Sequence, residues 1–255
     1  MKTLSLPRRA VHNGDLILVD RRFPYVGNRE DQALVPIHEK HPKVLLERGA
    51  AERLSSLMGG VDGWSYITPV SGWRSLEEQE ELYAQSLWEN GPVSTERFVA
   101  RPGHSEHQTG LAIDLGLTQP EIDLIRPEFP YTGICQKFRG RAAAHGFIER
   151  YPVGKEGVTG IAHEPWHFRY VGRPHAEIMV DKGWTLEEYH DVLKGFPFGG
   201  RPFSWRRGCL EYTISYLEAD GHGDTRFVMD DEAFYTLSGD NEAGFIVTVW
   251  RERSE

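Results

Sequence analysis

Cysteine is nearly absent: a chain of 255 residues carries two, Cys135 and Cys209. Two distant thiols give neither a disulfide framework nor the close spacing of a cysteine zinc site. Both are expected to be buried or inert thiols. Basic runs are missing as well. Lys+Arg 29 against Asp+Glu 38 leaves a net charge of −9 and a pI near 5.7, so neither nucleic acid nor an anionic membrane is an expected partner. Long apolar runs are lacking too. Leu16-Ile-Leu-Val19 is four residues long, far short of the roughly 20 that a membrane span needs. The charged start Met1–Arg9 continues into Ala10-Val-His-Asn-Gly-Asp15 rather than an apolar signal core, which predicts a cytoplasmic protein without a membrane span. No internal repeat or low-complexity segment is visible.

Chemistry-bearing residues concentrate in two short segments about fifty residues apart, Ser105-Glu-His-Gln-Thr-Gly-Leu-Ala-Ile-Asp114 and His163-Glu-Pro-Trp-His167. Together they offer imidazoles, a carboxylate ligand and a spare glutamate. A catalytic zinc takes three protein ligands and keeps an open position, and a carboxylate outside the ligand set then serves as base.

His163-Glu164-Pro165-Trp166-His167 matches the H-E-x-x-H pattern literally, but that pattern needs a helix. Pro165 inside it would cost about 3 kcal/mol. The following Phe168-Arg-Tyr-Val171 has strand character, and Gly172 and Pro174 end the run. The helical reading is therefore rejected. His167 is kept as a ligand, Glu164 as the base, and His163 is moved to a supporting role. Leu111–Gly116 reads as a buried strand with Ala112 and Asp114 on one face and Leu111, Ile113 and Leu115 on the other. Asp114 is then a carboxylate on an apolar strand, costly to bury unless paired or metal-bound.

Ser105-x-His107-x-x-Gly110-x-Ala112-x-Asp114 with Glu164-x-Trp166-His167 resembles the paired signatures of the LAS metallopeptidases, the lysostaphin, D-Ala-D-Ala peptidase and hedgehog group. Ser71-Gly-Trp-Arg74-Ser75 is similar to a segment of the D-Ala-D-Ala carboxypeptidases and dipeptidases, and the likeness is greatest to the VanY and bifunctional VanXY types. The resemblance implies an α+β fold: a LAS core with a central antiparallel sheet flanked by helices, plus a small C-terminal β-rich appendage. It implies Zn²⁺ on His107, Asp114 and His167, Glu164 as general base, Arg74 facing the oxyanion, and Ser105 and Gln79 binding substrate. Trp166 is read as a pocket wall. The implied substrates are the D-Ala-D-Ala dipeptide and peptidoglycan precursors ending in it. Two alternatives stand beside this: another LAS hydrolase, such as an L,D- or endopeptidase of cell-wall peptides, and a non-catalytic zinc-binding module. Retention of both Glu164 and Arg74 disfavours the latter.

The remaining chain is read as a catalytic domain over residues 1–198 and a β-rich extension over 199–255. Asp15–Asp20 and Tyr66–Val70 are expected strands, and residues 43–59, 76–89 and 134–145 expected helices. Ser75 and Glu78 form a capping box at the second of these. Residues 152–160 are expected to form a loop over the site. After Gly199-Gly200 the β formers of Leu210–Leu217, Thr225–Met229 and Phe234–Trp250 predict a small sheet, used for stability or a homodimer contact rather than for substrate specificity. Histidines outside the joint pattern, such as His38 and His190, are expected to be structural or exposed.

Overall fold

The computed structural model describes residues 1–27 and 33–252. The chain divides into two compact units, Val19–Thr185 and Met1–Leu18 with Leu186–Glu255. The boundary expected from sequence, after residue 198, lies one helix further on. Strand β1 (Lys2–Leu6) draws the start of the chain into the second unit by pairing there.

Within Val19–Thr185 a short antiparallel pair, β2 (Leu34–Pro36) and β3 (Leu45–Glu47), leads into α1 (Arg48–Val61). The Glu47 side chain caps that helix by accepting from the amides of Gly49 and Ala50. Ala50, Leu54, Leu57, Met58 and Val61 recur at helical spacing and are buried. Next come β4 (Ile67–Ser71), α2 (Leu76–Phe98), β5 (Ala112–Leu117), α3 (Gly133–Ala142), β6 (Phe147–Tyr151), the short α4 (Glu156–Thr159), β7 (Glu164–Tyr170) and α5 (His175–Lys182). The Ser75–Glu78 capping box opens α2, and Gly91-Pro92 kinks it. Four strands form one antiparallel sheet in the order β4-β5-β7-β6.

Leu54 and Leu57 of α1 and Phe138 of α3 share one core with Ile113, Leu115 and Phe168 of the sheet. Burying each such side chain stabilises by about 1.5–3 kcal/mol. Because strand side chains alternate, packing Ile113, Leu115 and Phe168 on the helices turns Asp114 and His167 to the opposite face. β7 also breaks regular pairing. Glu164 lies opposite Tyr151 and Phe168 opposite Glu149, so four steps on β7 face two on β6. This bulge holds Pro165, which has no amide to donate to a ladder.

The other unit begins with β1 and resumes at α6 (Leu186–Leu193), followed by β8 (Phe203–Arg207), β9 (Leu210–Glu218), β10 (Thr225–Met229), β11 (Phe234–Gly239) and β12 (Gly244–Glu252). β1 pairs with β10, and β11-β12-β9-β8 form an antiparallel sheet. Phe227, Met229 and Val247 make its apolar centre, with Leu4 and Leu6 packed against them. Asp240 shapes the β11–β12 turn by accepting from the amides of Glu242, Ala243 and Gly244.

Two local expectations need correction. Residues 15–20 form no strand: Leu16–Val19 are buried, but the Leu18 amide bonds to the Asp240 carbonyl and its own carbonyl accepts from Asn241. An apolar run does not reveal whether its backbone partners are a strand or a turn. Residues 152–160 are not a plain loop, since α4 occupies part of them. Among the described residues no helix is long and apolar enough to cross a membrane.

Candidate metal centre

Three elements converge on one buried point. Asp114 on β5 lies directly opposite His167 on β7 in the antiparallel register. His107 reaches them from a single 3-10 turn, Glu106–Thr109, which ends at Gly110 with φ +73°. A Cβ at Gly110 would sit 2.8 Å from Leu34 and 3.1 Å from the Glu47 amide, so both the left-handed turn and the close approach require glycine. The donor atoms of His107, Asp114 and His167 all lie within 4.8 Å of one another. His107 Nε2 is 3.1 Å from Asp114 Oδ2, and His167 Nδ1 is 2.9 Å from Asp114 Oδ1. The other nitrogen of His107, Nδ1, bonds to the Gly72 carbonyl at 2.7 Å. Gly72 is itself pressed on β3, where an added Cβ would meet the Leu45 carbonyl oxygen at 2.3 Å.

Burial alone would raise the Asp114 pKa, but hydrogen bonds and charge from His107 and His167 outweigh it and hold the carboxyl well below the usual range. Burial would lower His167, yet Asp114, Glu106 and Glu164 push it up to about 9. His107 goes the other way, pulled down by burial and by Arg74 against the pull of Asp114. Two imidazoles sharing one buried carboxylate form a compact N₂O set with one anionic donor. The chemistry of this donor set fits a divalent metal such as Zn²⁺.

The chemical groups around it are equally placed. Glu164 Oε2 is 3.8 Å from His167 Nδ1, brought to the same side by the β7 bulge, since residues three apart on a regular strand face opposite ways. Burial raises the Glu164 pKa to about 8, with Asp114 and Glu106 adding to the rise and His167 and Arg74 opposing it. Arg74 donates to Gln79 Oε1 at 2.7 Å and to Ser71 Oγ at 2.8 Å. Burial depresses its pKa against the raising charges of Asp114, Glu78 and Glu164, but a guanidinium stays charged. Gln79 spends its amide nitrogen on the Ala100 carbonyl at 2.7 Å.

Arg74, Gln79, Ser105, His107, Asp114, Glu164, Trp166 and His167 all line one cavity of about 690 Å³, a size suited to a small ligand. Leu124 and Ile125 form part of its wall, whereas residues 152–160 do not. His163 is turned elsewhere, with its Nε2 2.7 Å from the Tyr131 hydroxyl. Sequence reasoning passed over Glu106, Arg150 and Arg169. Glu106 is fully buried, and against burial the two arginines hold its carboxyl well below the usual range. The available signal was a glutamate inside the first motif, between Ser105 and His107.

Comparison with known proteins identifies the family. A family described as VanY, D-alanyl-D-alanine carboxypeptidase, matches residues 44–173. The chain is 43% identical over 179 residues to the bifunctional D-Ala-D-Ala dipeptidase and carboxypeptidase VanXYC of Enterococcus gallinarum, covering 70% of this chain and 94% of that one. It superposes on the crystal structure of the vancomycin-resistance D,D-dipeptidase VanXYg, in complex with a D-Ala-D-Ala phosphinate analogue, with TM-score 0.95. Identity there is 43%, over 98% of this chain and 99% of that one. A variant of the vancomycin-resistance D,D-pentapeptidase VanY, in complex with Zn(II), matches with TM-score 0.56 at 28% identity, over 69% of this chain and 98% of that one. The chain is a hydrolase of the VanY family of D-alanyl-D-alanine carboxypeptidases.

Proposed function

We propose that this chain is a zinc-dependent D,D-dipeptidase and D,D-carboxypeptidase, releasing D-Ala from D-Ala-D-Ala and from peptidoglycan precursors ending in it. The observation that carries the reading is Glu164: a carboxyl outside the proposed ligand set, 3.8 Å from His167 and lining a cavity of about 690 Å³. A purely structural metal site has no use for it. His107, Asp114 and His167 would hold the zinc. When bound, zinc supplies Lewis acidity toward water and the scissile carbonyl.

The chain's own residues do the rest. Glu164 takes the proton of the attacking water and delivers it to the leaving D-Ala amine. Arg74, pinned by Ser71 and Gln79, presents a fixed cation to the oxygen on which negative charge develops. Gln79 thus acts through Arg74. Ser105 supplies a hydroxyl to the substrate backbone and Trp166 a flat apolar wall.

The test is release of D-Ala from D-Ala-D-Ala and from a UDP-linked pentapeptide precursor by zinc-loaded wild type and Glu164→Ala. Wild type should cleave both, and Glu164→Ala should lose about 10²–10⁴-fold in kcat. Cleavage of neither substrate by wild type sinks the reading, and cleavage of one alone removes the bifunctional half.

A further inference from the structure

On the side of His167 away from Asp114 lies a second buried charge cluster. The side chains of Glu106, Arg150 and Arg169 have 0% exposure. Both arginines donate to the same carboxylate oxygen: Arg150 Nε and Arg169 Nη1 each lie 2.8 Å from Glu106 Oε1. Among the described residues, neither the other oxygen, Oε2, nor Nε2 of His167 has a hydrogen-bond partner. These two atoms face each other at 3.6 Å. Buried polar atoms are normally paired. A closure of about half an ångström would bring this pair near the usual ~3.0 Å.

We propose that Glu106 is the positioning residue for His167, its Oε2 accepting a hydrogen bond from Nε2–H so that Nδ1 keeps a lone pair for the metal. The inference rests on the reading of His107, Asp114 and His167 as metal ligands. A neutral imidazole carries one proton, and whichever nitrogen holds it cannot ligate. The partner of the outer nitrogen therefore selects the ligating one. The two arginines make the carboxylate asymmetric: they engage Oε1, which leaves Oε2 for His167. The same asymmetry predicts what glutamine would do. Its oxygen would turn to the arginines and its amide nitrogen to His167, offering a donor where an acceptor is needed. His167 would then move its proton to Nδ1, the atom the metal requires.

The test compares zinc affinity by chelator competition, and the visible spectrum of the Co²⁺ form, in wild type, Glu106→Gln and Asp114→Asn. Melting of the metal-free proteins is followed alongside. Wild type should bind one zinc tightly, Glu106→Gln should bind 10–100-fold more weakly with an altered Co²⁺ spectrum, and Asp114→Asn should lose the site. Should Glu106→Gln melt earlier yet bind zinc as wild type does, the cluster serves folding alone and the inference is overturned. Should wild type bind no zinc, or Asp114→Asn bind as well as wild type, the metal-site reading fails and takes the inference with it. Long-range ¹H–¹⁵N spectra of zinc-loaded wild type need no variant to fold. They should show His167 protonated at Nε2, with a slowly exchanging downfield proton. A proton on Nδ1, or one exchanging freely with solvent, contradicts the proposal.

Discussion

Arg74 is held by two side chains before any substrate arrives, and its fork makes the hold directional. Ser71 and Gln79 each take one terminal nitrogen, so lysine, a point charge on a flexible stem, cannot reproduce the geometry. Arg74→Ala should cost about 10²–10³-fold in kcat, and Arg74→Lys should recover only part of that, as steady-state kinetics on D-Ala-D-Ala would read. The proposed metal ligands make a second prediction. In the metal-free protein His167, raised to about 9, is protonated at pH 7, and Glu164, raised to about 8, largely so. A metal must expel the His167 proton and draws the Glu164 proton off, so affinity should rise with pH up to about 9 and level off beyond. Titration calorimetry in buffers of different ionisation enthalpy should find one to two protons released per zinc near neutrality; none released would contradict both shifts. At this scale the sequence was legible where spacing carries chemistry: His107, Asp114, His167, Glu164 and Arg74 line one cavity. Glu106 was not legible, because only folding brings Arg150 and Arg169 to the same carboxylate oxygen.

Between residues and fold stand the elements that aim them. Gly72 combines two duties that no other residue can: its missing side chain lets the turn lie on the Leu45 carbonyl, and its own carbonyl anchors His107. Gly72→Ala would have to separate backbone from backbone, so it should destabilise by about 1–3 kcal/mol and weaken zinc binding in the same protein. Removing the cap with Ser75→Ala should cost about 1 kcal/mol by denaturant unfolding, with kcat falling little, because Arg74 is fixed by Ser71 and Gln79 instead. Pro165 let the sequence reject a helix through His163–His167, and β7 is a strand there. The bulge itself was hidden, since it depends on how β6 pairs with β7. Asp15–Asp20 misled for the same reason, its backbone partners lying in a distant turn.

At the scale of the whole chain, the two units answer pH and metal through different groups. His190 on α6 is buried, and burial, against the charges of Asp240 and Glu187, lowers its pKa to about 4. The unfolded chain takes up that proton near pH 6.5 while the folded one refuses it until about 4. Stability of the unit formed by Met1–Leu18 and Leu186–Glu255 should therefore decline as pH falls across that window, and His190→Gln should flatten the decline in acid melts. In Val19–Thr185 the proposed site predicts a linkage to metal. Zinc at about 1,000 times its Kd should add about 4 kcal/mol, and hydrogen exchange should place the new protection in β5 and β7. The family resemblance implied the α+β fold, and the β formers after Gly199-Gly200 pointed to a β-rich C-terminal part. Neither hinted that Lys2–Leu6 pairs with Thr225–Met229, because two short strands more than two hundred residues apart share no local pattern.

The bulge in β7 has one further consequence, for anyone who would retrain this scaffold. The proposed proton carrier, Glu164, and the proposed ligand, His167, sit on a single short stretch of backbone, whose Pro165 carbonyl is clamped by Arg139 at 2.9 Å. Neither can be moved without dragging the other, so this stretch offers mutagenesis no graded changes. Freedom lies elsewhere in the cavity lining, where Leu124 and Ile125 contribute from a segment between β5 and α3. A library that randomises those two positions and spares Glu164–His167 should yield folded, metal-binding clones with altered taste for the terminal residue, whereas one that samples the bulge should yield mostly silence.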